Sequence, residues 1–504
     1  MASNACMLGC HCCAMFFGEW MERKFIFAGK LGGEIFTGLR NNLFLLVNSH
    51  QAADMFYLVL PVVLVLQVFP CLAYAPRRIT INGSVLSEPE SPLVPIKLRG
   101  FNFWVDLDQP LEAVDTAVTQ LLPGTNLARL VMVHWQDAPA VVKRNSDCYT
   151  PTHPFLKPAC LQQFDATVAW TTQNGVWTIL TGRAKGGENG HVFNNDTLAT
   201  EMIAMWSFLA NRYSNTSNIL GYEVLSEPRT LNNTQVHLFH VQACTAVWKQ
   251  DPQAACLIGP GKYYNRYRLD ESFIIKNRPV IYAGNYLTPK TYTRGSLSDV
   301  TYPSLKKIKC GDLLAKKEIP YACPDGDSNA EIMFNKDFLS LLVKPLVNFQ
   351  QKFNVPVWVD QWGIFGGGSV GGGNKSVTAY MNDVLELWDD RNLMWTQWIW
   401  RSPYAKNCTT YSLVCQPVSC SAYYPQKNLL RPLNKYLGGD GVIEALPTVL
   451  SPLCKCINAA KMYCASAADC KKCVWQHESD LVAKGCDWNT QHSDIIEGAC
   501  SSPV

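Results

Sequence analysis

The run Gly221-Tyr222-Glu223-Val224-Leu225-Ser226-Glu227-Pro228 puts a carboxylate where chemistry is possible. Proline lacks the N–H that another ladder bond needs, so a strand ending in Glu-Pro stops with the glutamate at its rim. A rim glutamate can protonate a leaving oxygen, the step that general acid cleavage of a glycoside requires. The plainer reading is a glutamate held in a structural salt bridge. Glu223 shares the face of Glu227 and is expected deeper, paired with a basic group and without a catalytic role.

Smaller expectations surround this pair. Arg129 is expected to bridge toward Glu227 or Gln361, or simply to neutralise a buried carboxylate. Trp104 stands where it could stack on a sugar face or pack in the core. His134, Trp135 and Asp137 follow the second strand and are expected to line a cleft. No motif implies a metal or nucleotide cofactor. The Gly363–Gly373 run lacks the Gly-Lys-[Ser/Thr] ending of a phosphate loop and reads as a surface loop.

Elements able to hold such residues alternate along the chain. Eight β-rich runs are expected at Val94–Trp104, Leu127–Val133, Val176–Gly182, Ile219–Pro228, Ala255–Pro260, Val280–Tyr286, Val355–Gly363 and Leu393–Trp400. Amphipathic helical stretches lie between them at Leu111–Leu122, Leu198–Tyr213, Val236–Gln250, Phe334–Phe353 and Val377–Trp388. Eight such units predict an α/β fold, a (β/α)8 TIM barrel, whose strand ends carry the site. An open doubly wound sheet would want a Gly-rich turn after the first strand, and Phe101-Asn102-Phe103-Trp104 has none.

Composition narrows the class. The 504 residues carry a formal net charge of +3, against a nucleic-acid binder with a concentrated basic face. Fifteen tryptophans exceed what a core needs, so some are expected on a binding surface. Residues 55–75 form an apolar run that reads as a signal peptide starting at Met55, as a signal anchor, or as a buried core helix. Either secretory reading makes residues 1–54 an N-terminal extension or a cytoplasmic tail and puts the rest outside the cytosol, secreted or membrane-anchored. Membrane contact would then come only through 55–75.

Sixteen cysteines follow that run, an even number suited to full pairing in an oxidising compartment. Six sequons, at Asn82, Asn195, Asn215, Asn232, Asn374 and Asn407, agree with a secretory route. Seven cysteines crowd into 447–504, which reads as a disulfide-stapled appendage to a barrel of 76–446. Its Cys470-x-x-Cys473 is read as disulfide-bonded rather than zinc-binding, because a second well-spaced pair is missing. Seven is odd, so one of these cysteines is expected to pair with the barrel or stay free.

Residues 94–402 resemble glycoside hydrolase family 5, retaining (β/α)8 glycosidases acting mostly on β-linked glucans and mannans. Leu98–Trp104 looks like the family's opening strand, and Asn126-Leu127-Ala128-Arg129 like its Asn-x-x-Arg. Leu225-Ser226-Glu227-Pro228 resembles its Asn-Glu-Pro, and Val280–Pro289 its sixth-strand segment. Pro356–Gly363 is similar to its nucleophile strand, and Trp395-Thr396-Gln397-Trp398 to its eighth strand. The resemblance implies Glu227 as acid/base and Trp398 as sugar platform. It implies Arg129, Ser226, Arg183, Asn285, Tyr286 and Trp104 as substrate-side residues of a carbohydrate site.

The departures bear on mechanism. The family has Glu where this chain has Gln361, Asn where it has Ser226, His where it has Arg183, and His near Asn285. A neutral amide cannot form the glycosyl ester of double displacement. Three accounts follow. The barrel hydrolyses β-linked glycan with a second group elsewhere, Asp360 being adjacent but expected to point away unless a bulge re-aims it. Alternatively, an N-acetylated substrate supplies its own nucleophile, or the barrel binds carbohydrate without turnover.

Overall fold

The computed structural model describes most of residues 76–443. The loops 106–110, 133–147, 184–190, 295–300, 305–306, 312–326, 366–372, 402–410 and 416–423 lie outside the description. Parts of 456–500 and the backbone of three strands within 30–47 are also described. His134, Trp135, Asp137, the apolar run 55–75 and most of the Gly363–Gly373 loop therefore fall outside it. Met1–Ala75 and Pro76–Val504 are separate units. In the first, Lys30–Leu31, Glu34–Leu39 and Leu43–Val47 form an antiparallel sheet. Among the described residues, no helix is long and apolar enough to cross a membrane.

The second unit is built on eight parallel strands: β1 Arg99–Val105, β2 Leu127–Met132, β3 Trp177–Gly182, β4 Ile219–Glu223, β5 Ala255–Ile258, β6 Val280–Tyr286, β7 Val357–Trp362 and β8 Met394–Gln397. They hydrogen-bond in chain order and close, β8 onto β1, into a barrel. This is the expected (β/α)8 architecture, with every expected strand present and most of them shorter than read. The expected first strand began five residues early, because Ser91–Pro95 belongs to a small antiparallel sheet with Thr80–Asn82 and Val85–Glu88.

Alternation along each strand makes two cores. Leu127, Trp177, Ile179, Leu220, Leu257, Ile281 and Trp358 fill the barrel, while Ala128, Leu130, Leu180, Tyr222 and Val359 meet the helices outside. Ile79, just before the small sheet, and Leu86, within it, join the inner cluster. Arg78 is buried on Asp251 at 2.7 Å, so the ion pair is desolvated only because it is matched.

The outer layer includes α1 Pro158–Gln173, α2 Asp196–Tyr213, α3 Asn233–Gln250, α4 Lys336–Phe353, α5 Gly373–Asp390 and α6 Lys427–Tyr436. Asn195, Asn232 and Asn335 cap α2, α3 and α4 by accepting a backbone N–H on their side chains. Two features differ from the expectation. The stretch Leu111–Leu122 forms two four-residue helices, Ala113–Thr116 and Val118–Leu121, rather than one. Helix α1 escaped the pattern because Cys160, Thr167 and Thr171 share its buried face with Phe164 and Val168, which dilutes the apolar period.

Disulfides staple this layer. Cys148–Cys160 ties the incoming loop to α1, and Cys244–Cys256 ties α3 to β5. In the C-terminal segment, Cys456–Cys486, Cys464–Cys473 and Cys470–Cys500 surround a small core with Ala460, Val474, Leu481 and Ile495. Both members of the Cys470-x-x-Cys473 motif are thus in disulfides, as read, and six of the segment's seven cysteines pair among themselves. The seventh, Cys454, is outside the description. The sequon asparagines 82, 195, 215, 232 and 374 are all exposed.

Candidate active site

The barrel interior carries two polar levels. In the lower one, the Arg129 guanidinium is fully buried and donates to both oxygens of Glu223, at 2.7 and 2.8 Å. It donates also to Asn102 Oδ1 at 2.7 Å and Ser226 Oγ at 2.8 Å. Thr181 Oγ1 adds a third donor to Glu223, at 2.8 Å. A fork of N–H groups meeting both carboxylate oxygens is the geometry in which a buried ion pair holds its charges. The neighbouring carboxylates raise the Arg129 pKa further against the opposing pull of its burial.

Arg129 therefore does not reach toward Glu227 or Gln361. It serves the buried carboxylate, the second of the two expectations for it. Glu223 is the deep, arginine-paired glutamate that the spacing implied. Both Arg129 and Ser226 are fully enclosed, which removes them from direct substrate contact in this conformation.

The upper level surrounds Glu227. The ladder of β4 ends at Glu223, and Ser226 N–H still reaches the Gly182 carbonyl at 2.9 Å. Glu227 then adopts φ 49°, a left-handed conformation uncommon for a residue with a Cβ. Such backbone strain is concentrated at functional sites. Arg183 Nη2, at the end of β3, donates to Glu227 Oε2 at 2.8 Å, and Asn285 Nδ2 on β6 donates to Oε1 at 2.9 Å. Three strand ends thus converge on one carboxylate that keeps 13% of its side-chain surface exposed.

Aromatic walls stand beside it. The Arg183 guanidinium lies 5.7 Å from the Trp104 ring centre, and Trp104 meets Trp398 edge to face at 5.5 Å. Both indoles are half-buried. Trp104, Trp398, Arg183 and Asn285 gather near Glu227, in the places that the family resemblance implied. Tyr286 does not. Its hydroxyl donates to the Leu339 carbonyl on α4 at 2.8 Å and its ring abuts Trp388 on α5, because alternation on β6 turns it outward when Asn285 turns inward.

Strand β7 supplies the largest correction. Val359 pairs with Trp395 and Trp362 with Gln397, so three steps on β7 span two on β8. The same offset appears against β6, where Gly284 pairs with Val359 and Tyr286 with Trp362. Val359 and Trp362 both pack in the outer core, which leaves the extra residue between them on the inner side, as a bulge does. Asp360 therefore faces into the barrel, not away from it, next to Gln361.

Asp360 is fully buried, with its nearest Oδ 3.9 Å from Arg129 Nη2 and neither oxygen in a well-formed hydrogen bond. Burial pushes its pKa well above the ordinary carboxylate range. Arg129 opposes the shift, Glu223 and Glu227 reinforce it, and the Gln361 backbone N–H opposes it. The shift favours the protonated form of this buried side chain. Gln361 itself is 3% exposed, and its amide nitrogen has no hydrogen-bond partner.

Sequence reasoning missed Asn102, Thr181 and Tyr264. Asn102 accepts from Arg129 and donates to the Gln397 carbonyl at 2.9 Å, tying β1 to β8 beneath the mouth. Its signal was a lone amide between two phenylalanines in a strand. Tyr264 sits inside the barrel and donates to the Leu225 carbonyl at 2.6 Å, a position that no local pattern announced. Among the described residues, no cluster of histidine, cysteine and carboxylate side chains could hold a metal.

Comparison with known proteins agrees with the geometry. Residues 89–292, which contain β1 to β6, match the cellulase model of glycosyl hydrolase family 5. Among solved structures, the Clostridial cellulose synthase subunit Z from Clostridioides difficile is 17% identical, covering 67% of this chain and 99% of its own, with a TM-score of 0.48. Cel5A of Thermotoga maritima, solved with cellobiose, is 15% identical over 67% of this chain and 97% of its own, TM-score 0.48. The same enzyme with mannotriose is 14% identical over 67% and 97%, TM-score 0.48. No curated protein matches the chain. Residues 89–292, and with them the first six strands of the closed parallel barrel, are thus similar to the cellulases of glycosyl hydrolase family 5.

Proposed function

We propose that the mouth around Glu227 recognises a β-linked glycan of the glucan or mannan type, and that it does so without double displacement. The observation that carries this reading is the pairing of Asp360 and Gln361 on the β7 bulge. The residue at the nucleophile's place is an amide, and the adjacent carboxyl group is fully buried, with its pKa pushed well up by that burial. A retaining mechanism needs an ionised carboxylate within bonding reach of the anomeric carbon, and this mouth offers none on β7. Glu227, with Arg183 and Asn285 donating to its two oxygens, is arranged to hold sugar hydroxyls, Trp104 and Trp398 to take the ring faces.

A second reading keeps turnover. The buried Gln361 amide nitrogen lacks an acceptor, and the carbonyl of an acetamido group would supply one. Glu227 would then act as the acid while the substrate's own acetamido oxygen attacks. The two readings separate in one assay, in which the full-length protein and its Glu227→Gln variant are given β-glucan, β-mannan and N-acetylated oligosaccharides. Binding to the first two without release of reducing ends supports recognition. Release from N-acetylated chains only, lost in Glu227→Gln, supports substrate assistance. Failure to bind any of the three classes rejects both.

A further inference from the structure

The segment after β5 contains a feature that the site described above does not use. Lys262, Tyr263 and Tyr264 follow one another at φ 58°, 62° and 51°, a left-handed turn of three residues that all carry a Cβ. Each such residue is strained relative to the right-handed form, and left-handed conformations ordinarily occur singly. The turn is over-determined by its surroundings. Lys262 N–H donates to the Thr230 carbonyl and Tyr263 N–H to the Pro228 carbonyl, each at 3.0 Å, while Tyr264 is anchored inside the barrel. Gly261 starts the turn because a Cβ there would lie 2.3 Å from the Thr230 oxygen.

The result of this strain is one presented aromatic ring. Tyr263 is 49% exposed while Tyr264 beside it is fully buried. The Arg229 guanidinium lies 5.6 Å from the Tyr263 ring centre, fixing the ring by a cation–π contact. Its backbone partner, Pro228, is the residue directly after Glu227, so the ring stands on the Glu227 side of the mouth. In a closed cylinder of eight strands, the β4–β5 seam faces the β8–β1 seam, and the latter carries Trp398 and Trp104.

We infer that Tyr263 is a sugar-stacking platform forming the wall of the cleft opposite Trp398, so that the ligand is a β-linked oligosaccharide crossing the mouth from one wall to the other. This deepens the glycan-binding reading above and rests on it. With the two rings on opposite walls, a disaccharide held at Trp398 is expected to leave Tyr263 unused, whereas a longer chain engages both. Tyr263 thus sets the minimum length of chain that binds well.

The test is calorimetric titration of the full-length protein with cellobiose, cellohexaose, mannobiose and mannohexaose. Tyr263→Gly removes the ring where glycine takes φ 62° without strain, so the thermal midpoint is expected to hold or rise. Tyr263→Phe keeps the ring. The expected result is hexaose binding at least tenfold tighter than biose binding in the wild type. Tyr263→Gly is then expected to lose roughly tenfold on the hexaose only, as for one removed aromatic contact, with Tyr263→Phe close to wild type. Equal affinity for both lengths, an unchanged hexaose affinity in Tyr263→Gly, or equal losses on both lengths would overturn the inference while leaving glycan binding in place. Binding of no oligosaccharide by the wild type would overturn both.

Discussion

Glu223 and Glu227, four residues apart on one strand and its extension, each close on an arginine from another strand of the barrel. Glu223 takes Arg129 in the sealed floor, and Glu227 takes Arg183 in the open mouth. The first pair is wholly desolvated and the second remains wet. Of the two, only the Glu227 pair retains exposed surface, which is what the proposed glycan-binding role requires.

The floor pair should behave as a buried ion pair does when broken. Arg129→Met is expected to destabilise the protein by about 3–5 kcal/mol, since it strands Glu223 without its fork. The double variant Arg129→Met/Glu223→Met should recover most of that loss. Chemical denaturation of the three proteins measures it, and a double variant no better than the single one would count against the pairing.

Asp360 predicts a pH-dependent gain. Its folded pKa stands well above its unfolded value of 3.8, so the folded chain keeps a proton that the unfolded chain releases. Below pH 4 both states are protonated and Asp360→Asn should change little. As pH rises above 4, the wild type is increasingly penalised and the variant is not. Melting temperatures at pH 4 and pH 7 should therefore diverge in the variant's favour. Equal shifts at both would refute the raised pKa of the buried carboxyl.

His240 acts with the opposite pH dependence. Burial in α3 lowers its pKa from 6.5 to about 3, opposed by the Gly259 carbonyl 3.0 Å from Nε2 and assisted by His237. The unfolded chain binds a proton below pH 6.5 that the folded one resists until about pH 3. Its contribution to stability is complete above pH 6.5 and declines through that window. His240→Phe should flatten the acid limb of a stability–pH curve between pH 6 and 4. An unchanged slope would exclude His240 as a contributor.

Trp398 should matter to the ligand and little to the fold. It is half-buried and meets Trp104 by its edge. Trp398→Ala is expected to weaken cellohexaose and cellobiose binding alike, by about tenfold or more, with a modest loss of stability. Titration beside the wild type checks this, and undiminished binding would move the sugar platform elsewhere.

The barrel was legible because period-2 apolar runs alternate with amphipathic stretches, and because Glu-Pro ends β4. Glu227 followed from that ending. Arg183, Asn285 and Trp398 followed from the family resemblance, and the inward alternation of β3, β6 and β8 places them around Glu227. What stayed hidden depended on long-range register. The β7 bulge is set by pairing with β6 and β8 and leaves no mark in Val357–Trp362, so Asp360 was read as outward. Tyr286 was misplaced by a single step on β6. Tyr263 gave no signal because its left-handed turn is imposed by carbonyls of Pro228 and Thr230, more than thirty positions earlier.

The most direct measurement of the account uses a 2-deoxy-2-fluoro β-glycoside, cellobiosyl or mannobiosyl, which traps glycosyl esters, followed by intact-protein mass. The wild type is predicted to bind oligosaccharide and gain no covalent sugar, while Gln361→Glu gains one at position 361. A wild-type protein carrying an ester-linked sugar would mean that a carboxylate does reach the anomeric carbon, and the assignment of Asp360 and Gln361 would be wrong.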